Sequence, residues 1–452
     1  MQQRLERHLL AQLVALGDHH ISGLLCTAGR QALDWSADYR MYSRDRIDPQ
    51  CLFAQVRAAL LERLPPDEAL LVSLDDTRVR KSGRKVAGTH YTRDPMGPRF
   101  RVNFIWAQRF LQLSMACGSG AEARLVPIDW QHAPTVKKPG PKASEDERSA
   151  YREARREHSL GRVASARLKH TRAWFDQHET RRRTLWCLVD GGYTNRTVWK
   201  TLPANTELIG RIRSDAKLYF LPQPVKGRKG RKRLYGETAP TPEGLRQDDS
   251  VPWQTVRVWI GSTQYKLRVK TLDGLRWRPA GGGHDLKLVV IAPMTYHTTP
   301  SGKRWYRKPA YLICTDPSAE TQLIVQRYIR RWDIEVNFRD EKTLLGVGEA
   351  QVRQAQAVQN VTATQVAAYA LLLTAACEAG SAEEAFALPR PKWQRQAPVR
   401  ATTQRLIQQL RYELWGHALH SSGFVAPTAS PRSDENTLHN PFPAVFYSYR
   451  YS

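Results

Sequence analysis

The sequence predicts a mixed α/β protein, and this prediction depends on three features of the chain. Short apolar runs of strand length occur at residues 69–74 and 184–189, and an aspartate follows each of them. Alternating β-type runs occur within residues 215–315. Apolar residues at helical spacing recur near both ends of the chain. Together these features predict an α/β core that a β-rich insertion interrupts, with helical N- and C-terminal regions.

Changes of pattern divide the chain into segments. Residues 1–68 are predicted to be a helical N-terminal region, which we interpret either as a DNA-binding region or as a helical cap on the core. The first part of the core covers residues 69–214, and the β-rich insertion covers residues 215–315. Residues 316–350 return to the core, and residues 351–452 form a helical region with an irregular tail.

Several elements are predicted inside these segments. In the core, strands are expected at residues 101–110, 111–118 and 124–130, and a solvated helix at residues 145–172. One continuous helix is expected over about residues 319–345, ending at Gly346.

The charge of the chain indicates a polyanionic partner. Lys and Arg number 69 and Asp and Glu number 43, which gives a net charge of +26. So large an excess repels itself, and in a folded chain it is typical of proteins that bind nucleic acid. The alternative is a basic protein without such a partner.

The cysteines and the apolar runs of the sequence indicate the cellular compartment of the protein. The six cysteines include no C-x-x-C pair, which argues against a zinc cluster and against a disulfide framework. The charged N-terminus has no signal-peptide pattern. The longest apolar run, residues 366–377, is too short to span a bilayer and predicts a buried helix. We therefore expect a cytoplasmic protein that associates with the nucleoid and makes no use of a membrane.

A glycine-punctuated loop in the insertion is a candidate arm for DNA phosphates. A solvated loop without a partner is the alternative. Its cations are Lys226, Arg228, Lys229, Arg231, Lys232 and Arg233.

Two aspartates occupy the same local setting. Asp75 follows one apolar run, and Asp190 follows another and precedes two glycines. A carboxylate held on rigid backbone at a strand end is well placed to bind a hard cation such as Mg²⁺. Asp76 is next to Asp75, but adjacent strand residues point to opposite faces, so at most one of the two faces the same site. Strand geometry alone leaves the choice between them open, and a turn-capping role for either aspartate is the alternative.

The predicted helix at 319–345 carries a polar stripe with one acid. At about 100° per residue, the four side chains fall within roughly 60° of one another on the helix surface. The acid could complete a metal site while the cations and the phenol hold DNA phosphate oxygens. A solvated face with an ion pair between the Arg and the Glu is the alternative. The stripe consists of Tyr328, Arg331, Glu335 and Lys342.

This stripe matches the YREK signature, including its spacing, of one group of bacterial insertion-sequence transposases in the DDE class. The sequence Asp-Asp-Thr beginning at Asp75 is similar to that group's first-acid motif, which favours Asp75 over Asp76. Asp190, followed by Gly-Gly-Tyr, resembles the second-acid motif. The resemblance covers residues 70–350, and the two ends of the chain agree with the group only in general character.

The resemblance implies a ribonuclease-H-like fold for the core and a role for the three acids. Asp75, Asp190 and Glu335 would be the catalytic ligands of two Mg²⁺ ions, for which Mn²⁺ can substitute. The implied activity is cleavage of double-stranded DNA at the element ends followed by strand transfer, by a homodimer in the synaptic complex. In this group, an aromatic residue of the insertion stacks on a flipped base, and Trp305 is our candidate. A Trp that fills the insertion's own core is the alternative.

Three other functions compete with transposition. One is a nuclease of the same fold that cuts without joining, and another is a domesticated DNA-binding protein that has lost catalysis. The third is a tyrosine recombinase with Tyr328 as nucleophile, which would leave Asp75 and Asp190 without a role.

Overall fold

Most of the chain is described by the computed structural model. The described residues are 1–44, 46–98, 100–118, 120, 122–179, 182–223, 233–261, 263–281, 283–299, 301–379, 388, 391, 400–422 and 442–447.

Within these residues, a sheet of eleven strands carries the fold. Two further short strands pair only with each other, as a hairpin. The strands are β1 Leu70–Arg80, β2 His90–Arg93, β3 Phe104–Cys117, β4 Arg124–His132, β5 Leu185–Val189, β6 Thr206–Arg211, β7 Leu218–Phe220, β8 Gln254–Ile260, β9 Thr263–Trp277, β10 Leu286–Ile291, β11 Thr295–His297, β12 Arg304–Tyr306 and β13 Ala310–Cys314.

Five strands form one part of the sheet, in the order β4-β3-β1-β5-β6. β3 is antiparallel to β4 and β1, whereas β1, β5 and β6 run parallel to one another. Three antiparallel strands followed by two parallel ones are the arrangement of a ribonuclease-H-like core, and the predicted fold class is confirmed. β5 is buried along its whole length, as the uniformly apolar sequence of a parallel central strand requires.

The insertion extends this sheet. β13 pairs antiparallel with β6, and β10, β9 and β7 follow in that order, with β8 also paired to β9. Among the described strands, only the hairpin of β11 and β12 is separate from the large sheet. The β-rich segment therefore shares a continuous hydrogen-bonded sheet with the core.

Helices pack against the sheet and also form the described parts of the N- and C-terminal regions. They are α1 Gln2–Val14, α2 Ile21–Thr27, α3 Ser36–Ser43, α4 Pro49–Arg63, α5 Glu145–Glu157, α6 Leu160–His178, α7 Arg196–Trp199, α8 Pro242–Gln247, α9 Thr321–Arg330, α10 Asp333–Thr343, α11 Ala355–Ala379, α12 Thr403–Ser421 and α13 Phe442–Tyr447.

The N-terminal helices pack on the rest of the protein through α11, which contacts α1, α3, α4 and β4. Arg411 of α12 donates to the carbonyl oxygens of Val14 and Ala15 at the end of α1. These contacts are those of a helical cap. DNA binding by residues 1–68 stays a prediction.

α11 is, among the described helices, the one that is long and apolar enough to cross a bilayer. Of its most apolar stretch, 83% is buried inside the protein. The Trp130 indole donates to Thr362 Oγ1 on this helix at 3.0 Å, and Asn360 donates to the carbonyl oxygen of Tyr42. Packing against β4 and the N-terminal helices accounts for its composition.

Several predicted element boundaries were wrong. The two strands expected at residues 101–118 are one strand, β3, because its pairing with β4 continues across the predicted break. The helix expected at residues 145–172 is two, α5 and α6, separated at His158 and Ser159. Of the expected irregular tail, residues 423–441 lie outside the described residues, and α12 continues to Ser421.

Candidate active site

Two parallel strands bring Asp75 and Asp190 side by side. Leu74 and Val189 are the last pair between β1 and β5, so Asp75 is the next residue on β1 and Asp190 is the residue directly after β5. Neighbouring strands lie about 4.8 Å apart, which places these carboxylates next to each other. Asp190 Oδ1 is held by the backbone amides of Gly192 at 2.8 Å and Tyr193 at 3.3 Å. The two-glycine turn therefore orients the second carboxylate.

β1 continues past Asp75, contrary to the expectation that the strand ends at residue 74. Its pairing with β3 persists from Val72 to Arg80, although its pairing with β5 stops at Leu74. Asp75 thus lies where the parallel pairing ends, on backbone that the antiparallel pairing still holds. A rigid strand positions the carboxylate more firmly than a turn does.

Strand alternation separates Asp75 from Asp76. The Asp76 carboxylate accepts a hydrogen bond of 2.7 Å from the hydroxyl of Tyr193, a buried core residue. Asp75 instead accepts one of 3.0 Å from Arg331 Nη1. Strand geometry alone left open which of Asp75 and Asp76 faces the other acids. In the structure, Asp75 is the aspartate that faces the Glu335 helix.

The predicted helix at residues 319–345 is two helices, α9 and α10. The amides of Arg331, Trp332, Ile334 and Glu335 bond to carbonyl groups three residues back, so one tight turn interrupts the α-helix. The single straight stripe inferred from 100° per residue was wrong, because this turn changes the spacing. Arg331 and Glu335 remain neighbours across it, with Nη1 and Oε1 3.7 Å apart.

Arg331 lies among the acids. Its guanidinium contacts Asp75 at 3.0 Å and Glu335 at 3.7 Å, and Asp190 is close enough to interact with it electrostatically. The ion pair that was the alternative interpretation of the stripe therefore exists, and the same guanidinium also links Asp75 on β1 to Glu335. Glu335 keeps 42% of its side chain exposed, so this face of the cluster is open to solvent.

The other two stripe residues flank the cluster. Lys342 Nζ donates to Thr77 Oγ1, two residues beyond Asp75 on the same face of β1. The ring of Tyr328 lies 5.9 Å from the Arg331 guanidinium, and burial raises the pKa of its phenol. The four side chains are thus near the aspartates, although two helices rather than one present them.

The donor set fits a divalent cation. The pKa of Asp75 is raised to about 8, chiefly because the carboxyl is buried and next because of the neighbouring Asp190 charge, and Arg331 opposes these effects only in part. Three clustered carboxylates repel one another, and a hard divalent ion relieves that repulsion while using the oxygen ligands it prefers. Asp75, Asp190 and Glu335 are the residues that could hold such an ion.

Trp305 lies away from any core. It is on β12 of the separate hairpin, opposite Tyr296, and 47% of it is exposed. The Lys303 ammonium lies 5.3 Å from the centroid of its ring. The alternative in which this Trp fills the insertion's core was wrong, because a two-stranded hairpin has no interior. Base stacking by Trp305 stays a prediction.

The predicted basic arm is largely outside the described residues. Of its cations, Arg233 is described and is exposed. Those that lie outside are Lys226, Arg228, Lys229, Arg231 and Lys232.

Two supporting residues were missed from the sequence. Thr77 Oγ1 accepts a hydrogen bond from Lys342, and the Tyr193 hydroxyl donates one to the Asp76 carboxylate. The period of two along a strand puts Thr77 on the face of Asp75, so the first could have been inferred. The second could not, because it needs the packing of the turn after β5 against β1.

Comparison with known protein families identifies the class of enzyme to which the chain belongs. The family model described as DDE superfamily endonuclease matches residues 2–278. The chain belongs to this family. Enzymes of the DDE superfamily use divalent metal ions, which agrees with the donor set. The matched range of this DDE endonuclease includes Asp75 and Asp190 and ends before Glu335, so the third acid rests on geometry. No curated protein matches the chain.

Proposed function

We propose that this DDE endonuclease is a DNA transposase of the YREK group that cuts the ends of a bacterial insertion sequence and joins them to a target. The observation that carries the proposal is the convergence of three carboxylates from separate parts of the chain. Asp75 comes from β1, Asp190 from the end of β5, and Glu335 from α10, and Arg331 contacts the first and third.

The carboxylates would hold two Mg²⁺ ions, for which Mn²⁺ would substitute. When bound, such ions lower the barrier for an attacking oxygen at phosphorus and stabilise the charge on the leaving 3′-oxygen. The attacking oxygen belongs first to water and then to the DNA 3′-hydroxyl, so no covalent intermediate with the protein forms.

The chain's own residues would position the DNA around this cluster. Arg331 already contacts carboxylates on one side, and its guanidinium has further donors that suit a phosphate oxygen. Lys342 adds an ammonium held by Thr77, and the Tyr328 phenol lies beside the guanidinium. The exposed edge of Glu335 leaves the cluster open to an incoming duplex.

The remaining parts of the proposal concern the oligomeric state, the contacts with DNA outside the acids, and the cellular location. A homodimer would hold the ends in a synaptic complex on double-stranded DNA. Trp305, exposed beside Lys303, would stack on a flipped base near the cleavage site. The basic loop, including Arg233, would contact phosphates. We propose a cytoplasmic, nucleoid-associated location.

The test uses labelled duplexes that carry the inverted repeats flanking the coding region. Wild type and Glu335→Gln are compared with Mg²⁺ and with EDTA. We expect nicking at the repeat tip that requires Mg²⁺ and is lost in Glu335→Gln, while DNA binding is retained because the glutamine keeps the shape of the side chain. Strand-transfer products with a target duplex are measured in the same reactions.

Each alternative predicts a different outcome. Nicking without strand transfer would indicate a nuclease, and binding without cleavage by either protein would indicate a domesticated DNA-binding protein. Equal cleavage by wild type and Glu335→Gln would remove Glu335 from the site. A tyrosine recombinase would lose all cleavage in Tyr328→Phe, whereas we expect that variant to cleave more weakly.

A further inference from the structure

The connection between β2 and β3 has an unusual surface. We call its described residues, 94–98 and 100–103, together with Phe104 at the start of β3, the hairpin tip. Phe100 is 93% exposed and Met96 is 89% exposed, and Val102 and Phe104 are also exposed. Large apolar side chains this exposed, grouped on one projecting connection, mark an interaction site more often than chance exposure.

The hairpin tip has a defined local structure. Asp94 at its base accepts a hydrogen bond from the Met96 amide at 3.0 Å, and its own amide donates to the Asn103 carbonyl at 2.9 Å. The amides of Gly97 and Arg101 bond back to Asp94 and Pro98. These hydrogen bonds hold the described backbone on both sides of the tip, and its apolar side chains are exposed.

Charge indicates the partner. Residues 82–107 contain five Lys and Arg and one acid, Asp94. That acid is already paired with Arg80 at 2.8 Å. Arginines without an acidic partner can contact the phosphates of DNA, and the exposed apolar side chains between them can contact its stacked bases. A second copy of the same surface would bring like charges together in a symmetric contact, which is unfavourable.

The position of the tip relative to the acids fits the same partner. Arg78 on β1 donates to Thr92 on β2 at 3.1 Å, and Arg80 reaches Asp94. β1 therefore runs from Asp75 to the base of the tip. Five residues at ~3.3 Å each make that path about 17 Å, or roughly five base-pair steps of ~3.4 Å.

We propose that the hairpin tip is a DNA wedge, with Phe100 and Met96 inserting between base pairs of a duplex while Arg93 and Arg101 contact the flanking phosphates. The inference deepens the proposed function and rests on it for the identity of the partner. Apolar wedges of this kind partly unstack a base step and bend the duplex, which lets more of the protein contact DNA.

The experiment needs neither cleavage nor a terminal repeat. The probe is a short duplex of arbitrary sequence with 2-aminopurine at successive positions, because the fluorescence of this base rises when it is unstacked. The full chain is titrated without Mg²⁺ as wild type, as a Phe100→Ala and Met96→Ala double variant, and as Leu414→Ala. Leu414 is an exposed apolar residue on α12 and serves as the matched control.

We expect a fluorescence rise with wild type and Leu414→Ala. The tip variant should lose the rise and bind about fivefold or more weakly, since each aromatic-base contact contributes at least ~1 kcal/mol. Equal affinity and an equal rise in the tip variant would overturn the proposal. So would an unchanged affinity with loss of a dimer in light scattering, which would assign the tip to a second copy. If the repeat duplex is never nicked but the wedge signal is present, the proposed function fails and the tip's contact with DNA stands.

Discussion

Asp75 and Asp76 show how neighbouring acids in one motif take different roles. Asp75 lies with Asp190, Arg331 and Glu335, whereas Asp76 is tied to the Tyr193 hydroxyl. The sequence predicted two faces but could not say which face the Glu335 helix covers. That information comes from the packing of α9 and α10 on one side of β1, which no local pattern contains.

Glu341 is a buried acid on α10, six residues beyond Glu335. Burial raises its pKa to about 8 from the ordinary value of 4.5, and Lys342 opposes the shift. The folded chain therefore retains a proton that the unfolded chain releases between these two values. The free energy of unfolding should fall as pH rises through this window, because the unfolded state is the one that gains from deprotonation.

Glu341→Gln removes this titration while keeping the shape of the side chain. We expect the variant to lose less stability than wild type between about pH 5 and about pH 8, and to resemble wild type at the lower pH. Thermal unfolding of both proteins at the two pH values measures the difference. Parallel loss of stability in the two proteins would show that Glu341 is charged in the folded state.

The Glu335 helix, α10, is fixed by polar contacts as well as by apolar packing. Asn337 donates to the Leu125 carbonyl on β4 at 3.0 Å, and Thr403 on α12 donates to Asp340 at 2.6 Å. The hydroxyl of Tyr369 on α11 lies 3.2 Å from Thr403 Oγ1. These partners are far apart in the sequence, so the periodicity of single segments could not predict them.

The contact between α12 and α10 is testable by a double-mutant cycle. Thr403→Val, Asp340→Asn and the double variant are unfolded in denaturant beside wild type. Because the hydrogen bond is buried and its acceptor is an acid, we expect a coupling energy of about 1.5 kcal/mol or more. Additive effects would indicate that the two residues act independently and that other contacts hold α10.

The break between α9 and α10 is a feature that the periodicity of the sequence did not predict. A spacing of 3.6 residues predicted one helix, yet one tighter turn redirects the chain at Arg331 and Trp332. The types of residue in the stripe were informative, since the side chains lie near the aspartates. Their angular arrangement was not, because it assumed unbroken helix.

At the scale of the whole molecule, the α/β class and the division into helical and strand-rich segments followed from the sequence, although several element boundaries did not. The aspartates after the buried runs at residues 69–74 and 184–189 indicated the two strands that carry the site, and these strands are parallel neighbours. The position of the insertion relative to the core sheet could not be predicted from the sequence. Its strands extend the core sheet through β13 and β6, a pairing between residues about 100 positions apart that only the tertiary fold specifies.

The central claim is that Asp75, Asp190 and Glu335 together hold the catalytic divalent ions. Metal-specificity rescue tests it most directly. Asp75→Cys, Glu335→Cys and the neighbour control Asp76→Cys are assayed for cleavage of the repeat duplex with Mg²⁺ and with Mn²⁺. A thiolate is a poor ligand for Mg²⁺ and a more acceptable one for a transition metal.

We predict that Asp75→Cys and Glu335→Cys are inactive with Mg²⁺ and regain cleavage with Mn²⁺, whereas Asp76→Cys cleaves with both metals. Cleavage by Asp75→Cys or Glu335→Cys at the wild-type rate in Mg²⁺ would contradict the claim, because that carboxylate would then not be a ligand.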